Sequence, residues 1–102
     1  MEMQTSAQAA ADLMKALSSE NRLMLLCQMA EGDKTVGELA DALGLRQAAV
    51  SQQLALLRKD GLVTARRSGR SMHYSLTGRE ARAVIALLFD LYCGAAKAPA
   101  GT

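Results

Sequence analysis

Two thiols and a block of basic side chains are the groups of this chain most suited to chemistry. Cys27 and Cys93 stand 66 residues apart. A thiol reacts as its thiolate, and the local sequence disfavours that form at both positions. Glu31 follows Cys27 by four residues, and Asp90 precedes Cys93 by three. Cys93 also falls in the last turn of a predicted helix, at the negative end of its dipole. The residue types leave two readings open: each cysteine is a small buried hydrophobe, or the two are slow but reactive thiols. The chain has one histidine, His73, and no C-x-x-C. A closed metal site needs about four donors, so neither a metal nor another cofactor is expected. No paired carboxylates, nucleophile–base arrangement or phosphate-binding loop is present, which argues against an enzyme.

The charge is distributed unevenly. Residues 1–45 carry three basic and seven acidic side chains, a net −4, whereas residues 46–82 carry eight basic and two acidic, a net +6. A basic block on an otherwise acidic chain suits a polyanion, although a solvated charged face is the plainer alternative. The block includes Arg46, Lys59, Arg66, Arg67 and Arg70.

The elements that must position these groups follow from periodicity. Over Thr35–Asp60 the spacing predicts two helices joined by a turn at Gly44. Thr35 with Glu38 three residues on forms a capping box, and Val36, Leu39, Ala40 and Leu43 recur at helical spacing. The second helix runs from about Gln47 to Asp60 and is closed by Gly61. Val50, Leu54 and Leu57 share its inner face, while Ala48, Ser51, Gln52, Ala55 and Lys59 share the outer one. A helix face of short amides, hydroxyls and methyls can approach base edges in a DNA major groove.

At 102 residues the chain is one domain with one modest core. Half the residues are hydrophobic but only two are tyrosine and one phenylalanine, which favours aliphatic helix packing. A first helix is predicted over about Ser6–Leu17, with Ala9, Leu13, Ala16 and Leu17 on one stripe and Ala10 and Met14 on a second edge. A second helix, about Glu20–Ala30, is apolar almost all round and belongs in the centre of the core. After Gly61 the period becomes two. LVTARR and RSMHYSL, with a turn at Ser68-Gly69, predict a β-hairpin tipped by Arg66, Arg67 and Arg70. Thr77-Gly78-Arg79-Glu80 reads as a second capping box opening a last helix to about Cys93, with Ala81, Val84, Ile85, Leu88 and Tyr92 on one stripe. Met1–Thr5 and Ala95–Thr102 read as tails. Glu2 stands early with no apolar h-region and no long apolar run follows, so no membrane contact, a reducing cytoplasm and thiols are expected.

Four helices, a two-stranded hairpin and a fifth helix make a mainly α winged helix-turn-helix. Gln47, Ala48, Ser51 and Gln52 are assigned to base edges, since glutamine suits adenine and alanine a thymine methyl. Arg46, Lys59, Arg66, Arg67 and Arg70 are assigned to phosphates and the wing.

The stretches LMKALSSENRLMLLCQM (13–29), TVGELADALGLRQAAVSQQLALLRKDGLV (35–63) and RRSGRSMHYSL (66–76) resemble the ArsR/SmtB family of small bacterial winged-helix repressors. The resemblance implies a homodimer joined through the first and last helices. It also implies binding to an inverted-repeat operator in double-stranded DNA, and release by an inducer. Two positions depart from the family pattern. Arg46 stands where a capping serine is common, and Gln53, on the inner flank, where a histidine is common. The positions at which metal-sensing members place their ligands lack a cysteine in the helix at 36–43 and a histidine beside Asp90. A cysteine-pair (BigR/SqrR/HlyU-like) subgroup carries one thiol in each of the helices that hold Cys27 and Cys93. Resemblance to it implies a persulfide-sensing redox switch, in which reactive sulfur species join the two thiols by a disulfide or short polysulfide. Slow thiols would suit a sensor that ignores mild peroxide. Alternatives within the family are an activator that displaces another repressor and a peroxide-responsive regulator.

Overall fold

The computed structural model describes residues 3–94, with side chains from 6 to 92. The order of elements is α1 (Met3–Ala16), α2 (Glu20–Ala30), α3 (Val36–Leu43), α4 (Gln47–Lys59), β1 (Val63–Ser68), β2 (Ser71–Leu76) and α5 (Arg79–Leu88), which runs on as a π-helical segment, Phe89–Gly94. This is the expected winged helix-turn-helix. The first helix begins at Met3, earlier than the sequence suggested, so part of the expected N-terminal tail is helical. The expected tail at Ala95–Thr102 lies outside the described residues.

The core forms where the apolar stripes meet. Leu25, Leu26 and Met29 of α2 pack with Leu39 and Ala40 of α3, Val50, Leu54 and Leu57 of α4, Val63 and Leu76 of the hairpin, and Ala81 and Ile85 of α5. Helix α2 contacts α3, β2 and α5, which is why almost every side of it is apolar. The start of α2 is fixed by Ser19, whose side chain accepts from the Arg22 amide. Arg22 in turn donates through Nε to the Ala16 carbonyl at 2.8 Å, so one side chain satisfies the end of α1 and joins it to α2.

Two expectations at α5 need correcting. The Thr77–Glu80 capping box does not form: the N-cap is Gly78, at φ 95° and ψ 128°, with no side-chain cap hydrogen bond. The glycine supplies a left-handed backbone that Thr77 could not adopt cheaply, and it shifts the helix start past the threonine. The stripe also does not continue to Tyr92. From Phe89 the hydrogen bonding becomes π-helical, adding a residue to the turn and breaking the phase of the stripe. Phe89 is half-buried, while Leu91 and Tyr92 are 55% and 72% exposed.

The sheet is a single antiparallel ladder from Val63↔Leu76 to Ser68↔Ser71. Its turn is therefore Gly69–Arg70, one residue later than the sequence suggested, with Gly69 at φ 63°. An isolated bridge between Lys34 and Tyr74 adds the chain just before α3 to the outer edge of β2.

Candidate nucleic-acid interface and thiol site

Local chemistry sets the α3–α4 unit. The Thr35 hydroxyl accepts from the Glu38 amide at 3.1 Å, and the Thr35 amide donates to Glu38 Oε1 at 2.9 Å, the reciprocal box read from the sequence. Gly44 closes α3 at φ 68°, and its N–H reaches the Ala40 carbonyl. Only two residues then separate it from Gln47, so the second helix must turn sharply away from the first. Arg46 is the N-cap of α4 and makes no side-chain cap hydrogen bond, as an arginine, having no acceptor, dictates.

Helix α4 is split cleanly between its two faces. Val50, Leu54 and Leu57 are fully buried. Gln47, Ala48, Ser51, Gln52, Ala55 and Lys59 are exposed, and Arg46 stands exposed ahead of them. The four residues assigned to base edges thus lie on one open surface, with Arg46 at its start and Lys59 at its end. Gln53 is half-buried on the inner flank, and its Oε1 is buried with no hydrogen-bond partner.

The wing places its three arginines differently. Arg70 is in the turn, and Arg67 is exposed near the tip. Arg66 lies one pair further back, opposite His73, and its Nη2 donates to Asp33 Oδ2 in an ion pair. The Arg66 hydrogen bond is the main cause holding the Asp33 carboxyl below its ordinary range. Slight desolvation opposes it, and the charges of Arg66 and His73 add to it. Sequence reading missed this contact because the two residues are 33 apart with no periodic signal between them. His73, opposite Arg66 on β2, is half-buried.

Cys27 is half-buried on α2 and borders two open grooves between α2 and the α5 end. The first, about 280 Å³, is lined by Leu23, Met24, Gln28, Glu31, Leu43, Leu88, Phe89 and Tyr92. The second is bordered by Ala30, Glu31, Ala86, Leu87, Phe89 and Asp90. Glu31 borders both grooves and Asp90 the second, so the two acidic residues that the sequence set beside the cysteines both lie on the groove walls near Cys27. Cys93 lies in the π-helical segment; its side chain is outside the described set. Among the described residues no group of three or more His, Cys, Asp and Glu could hold a metal ion. No described helix is long and apolar enough to cross a membrane.

Comparison with known proteins places this geometry. The profile of bacterial regulatory proteins of the arsR family matches residues 19–65, from the N-cap of α2 into β1. The chain is 44% identical to the transcriptional activator HlyU of Vibrio cholerae over 94 residues, which is 92% of this chain and 87% of that protein. It is 38% identical to the biofilm growth-associated repressor of Xylella fastidiosa, over 94% of this chain and 84% of that one. The solved structure of reduced HlyU from Vibrio cholerae superposes with a TM-score of 0.85 at 43% identity, covering 89% of this chain and 96% of that one. With the helix-turn-helix, the basic wing and these relatives in agreement, the chain belongs to the ArsR family of DNA-binding bacterial transcriptional regulators.

Proposed function

We propose that this regulator is a cytoplasmic repressor that binds an inverted-repeat operator as a homodimer and releases it when Cys27 and Cys93 are joined by reactive sulfur. The observation that carries this reading is the position of Cys27. It is half-buried at grooves walled by the α5 end, and the segment that continues α5 holds Cys93. The resemblance to a solved protein described as reduced fits a redox-active pair.

The chemistry balances with a persulfide as oxidant. The Cys27 thiolate attacks the outer sulfur of a persulfide RSSH, giving Cys27–SSH and RSH. The Cys93 thiolate then attacks the Cys27 sulfur, forming the disulfide and expelling hydrosulfide. A second RSSH that converts Cys93 to Cys93–SSH gives a trisulfide bridge instead: the Cys27–SS− anion attacks the Cys93 sulfur and expels hydrosulfide. Either bridge ties α2 to the end of α5. Helix α2 leads through three turn residues to Lys34, which pairs with the wing, and to the Thr35 cap of α3. A pull on α2 thereby reaches both wing and recognition unit. Half-sites lie about one DNA turn, roughly 34 Å, apart, so a small change in helix spacing costs contacts at both ends. Coupling requires only that reduced and bridged forms differ in DNA affinity.

For DNA, Gln47, Ala48, Ser51 and Gln52 read bases, and Arg46, Lys59, Arg66, Arg67 and Arg70 hold phosphates or the wing. The exposed, acid-free outer face of α4 supports this division.

The test is peptide mass spectrometry paired with operator binding, before and after glutathione persulfide or peroxide. Persulfide should link the Cys27 and Cys93 peptides and abolish binding, with peroxide much less effective. Cys27→Ser protein that still loses the operator after persulfide would place the switch elsewhere. Activation is the second reading, favoured by the likeness to a protein named as an activator. It is separated from repression by transcription from the native promoter with and without the regulator.

A further inference from the structure

We infer that Asp33 is a positioning residue for DNA binding, holding the wing arginine Arg66 in an internal ion pair that competes with DNA phosphate. This rests on the reading of the wing as a phosphate-binding element.

Three strands' worth of chain meet at the site. Arg66 on β1 is paired with His73 on β2, and residues paired in an antiparallel ladder project to the same face. On the far edge of β2, Lys34 is bridged to Tyr74. Tyr74 projects to the opposite face from His73, and Lys34 goes with it. Asp33, one residue back, alternates to the face of His73 and Arg66. Arg66, His73 and Asp33 therefore project to one face of the sheet, with Asp33 at the level of Ser75, and the guanidinium reaches diagonally across β2 to the carboxylate. Both partners keep contact with water, at 62% and 36% side-chain exposure, so the pair can open.

A carboxylate and a phosphate offer an arginine the same kind of anionic oxygen pair. While Asp33 holds Arg66, that arginine is already neutralised, and moving it onto a phosphate breaks one ion pair for each one made. Arg67 and Arg70 bear no such cost, having no acidic partner among the described residues. Asp33 is also anchored: the double bridge at Lys34 fixes it beside β2, so it does not drift away when DNA arrives. The wing thus holds one arginine in reserve and two available, and Asp33 sets how tightly it grips.

The experiment measures binding of a labelled mixed-sequence duplex by anisotropy over a salt series. It uses the full chain, Asp33→Asn, Arg66→Ala and the double variant, with Arg67→Ala as the wing control. The Asp33→Asn change is near-isosteric and falls on an exposed side chain, and the Tm of each variant confirms folding. Asp33→Asn should tighten binding roughly two- to fivefold, the span of an exposed ion pair. It should steepen the slope of log K against log salt by about 0.9, one phosphate contact. Arg66→Ala should cost more affinity in the Asp33→Asn background than in the natural one. Additive effects, or a gain from Asp33→Asn that survives in the double variant, would overturn the proposal, because Asp33 would then act only through net charge. If Arg67→Ala and Arg66→Ala leave affinity and slope unchanged in every background, the wing reading itself fails, and this inference with it.

Discussion

Lys34 and Tyr74 exchange both of their backbone hydrogen bonds, Lys34 N–H to the Tyr74 carbonyl at 2.9 Å and Tyr74 N–H to the Lys34 carbonyl at 2.8 Å. This pair joins three functional parts at one point. Lys34 precedes the Thr35 cap of α3, follows the turn that ends α2, and borders the strand that carries the back of the wing. The hairpin alone would be a two-stranded ribbon, marginal by itself in water; the bridge anchors its edge.

Replacing Lys34 by proline removes one donor of this pair while leaving the Thr35–Glu38 box intact. A typical net hydrogen bond contributes about 1 kcal/mol, so the urea midpoint should fall by a corresponding amount. Amide exchange at Tyr74 should accelerate well beyond that at Leu39. Exchange at Tyr74 that matched the natural protein would show that the bridge does not hold the wing.

Arg46 poses a trade between stability and binding. Arg46→Ser gives α4 the side-chain acceptor it lacks and should stabilise the chain by about 1 kcal/mol in chemical denaturation. On the proposed role of Arg46, the same change removes a phosphate contact, flattening the salt slope by about 0.9. A stabilised variant with an unchanged slope would remove Arg46 from the interface.

The Asp33 carboxyl should titrate below the ordinary aspartate value when followed by carbon-detected NMR, and Arg66→Ala should return it towards that value. The sign for stability follows. The folded value lies below the unfolded one, so the contribution is present above the unfolded value, about 3.9. It disappears as pH falls through the lower folded value. Comparison of the natural chain with Asp33→Asn should therefore show a small difference at neutral pH that vanishes in acid.

Met14, Leu87 and Leu91 are 51%, 57% and 55% exposed on the outer sides of α1 and of α5 with its extension. The proposed homodimer covers them. Leu87→Asp with Leu91→Asp should shift sedimentation to the monomer and weaken operator binding far more than Tm. A dimer that persists would place the interface elsewhere.

Much of this fold was legible in the chain because local rules settle it. The Thr35–Glu38 box, the Gly44 turn, the buried face of α4 and the alternating hairpin each depend on residues within a few positions of one another, and periodicity reports them directly. The misreadings share a cause. Thr77–Glu80 fits a capping pattern, but Gly78 takes the cap because its backbone is left-handed. Tyr92 fits the α5 stripe, but the helix changes its hydrogen-bonding period at Phe89. Both depend on backbone conformations that residue spacing does not encode.

The amino-acid sequence by itself determined the elements, the two faces of α4, the clustering of positive charge after residue 45 and the presence of one thiol in each of two helices. Those are matters of composition and short-range period. Tertiary structure alone decided that Arg66 is held by Asp33, that Lys34 ties the wing to the start of α3, and that Cys27 opens on grooves walled by the end of α5. Each joins residues more than 30 positions apart, and such contacts exist only once the shared core has brought their elements together.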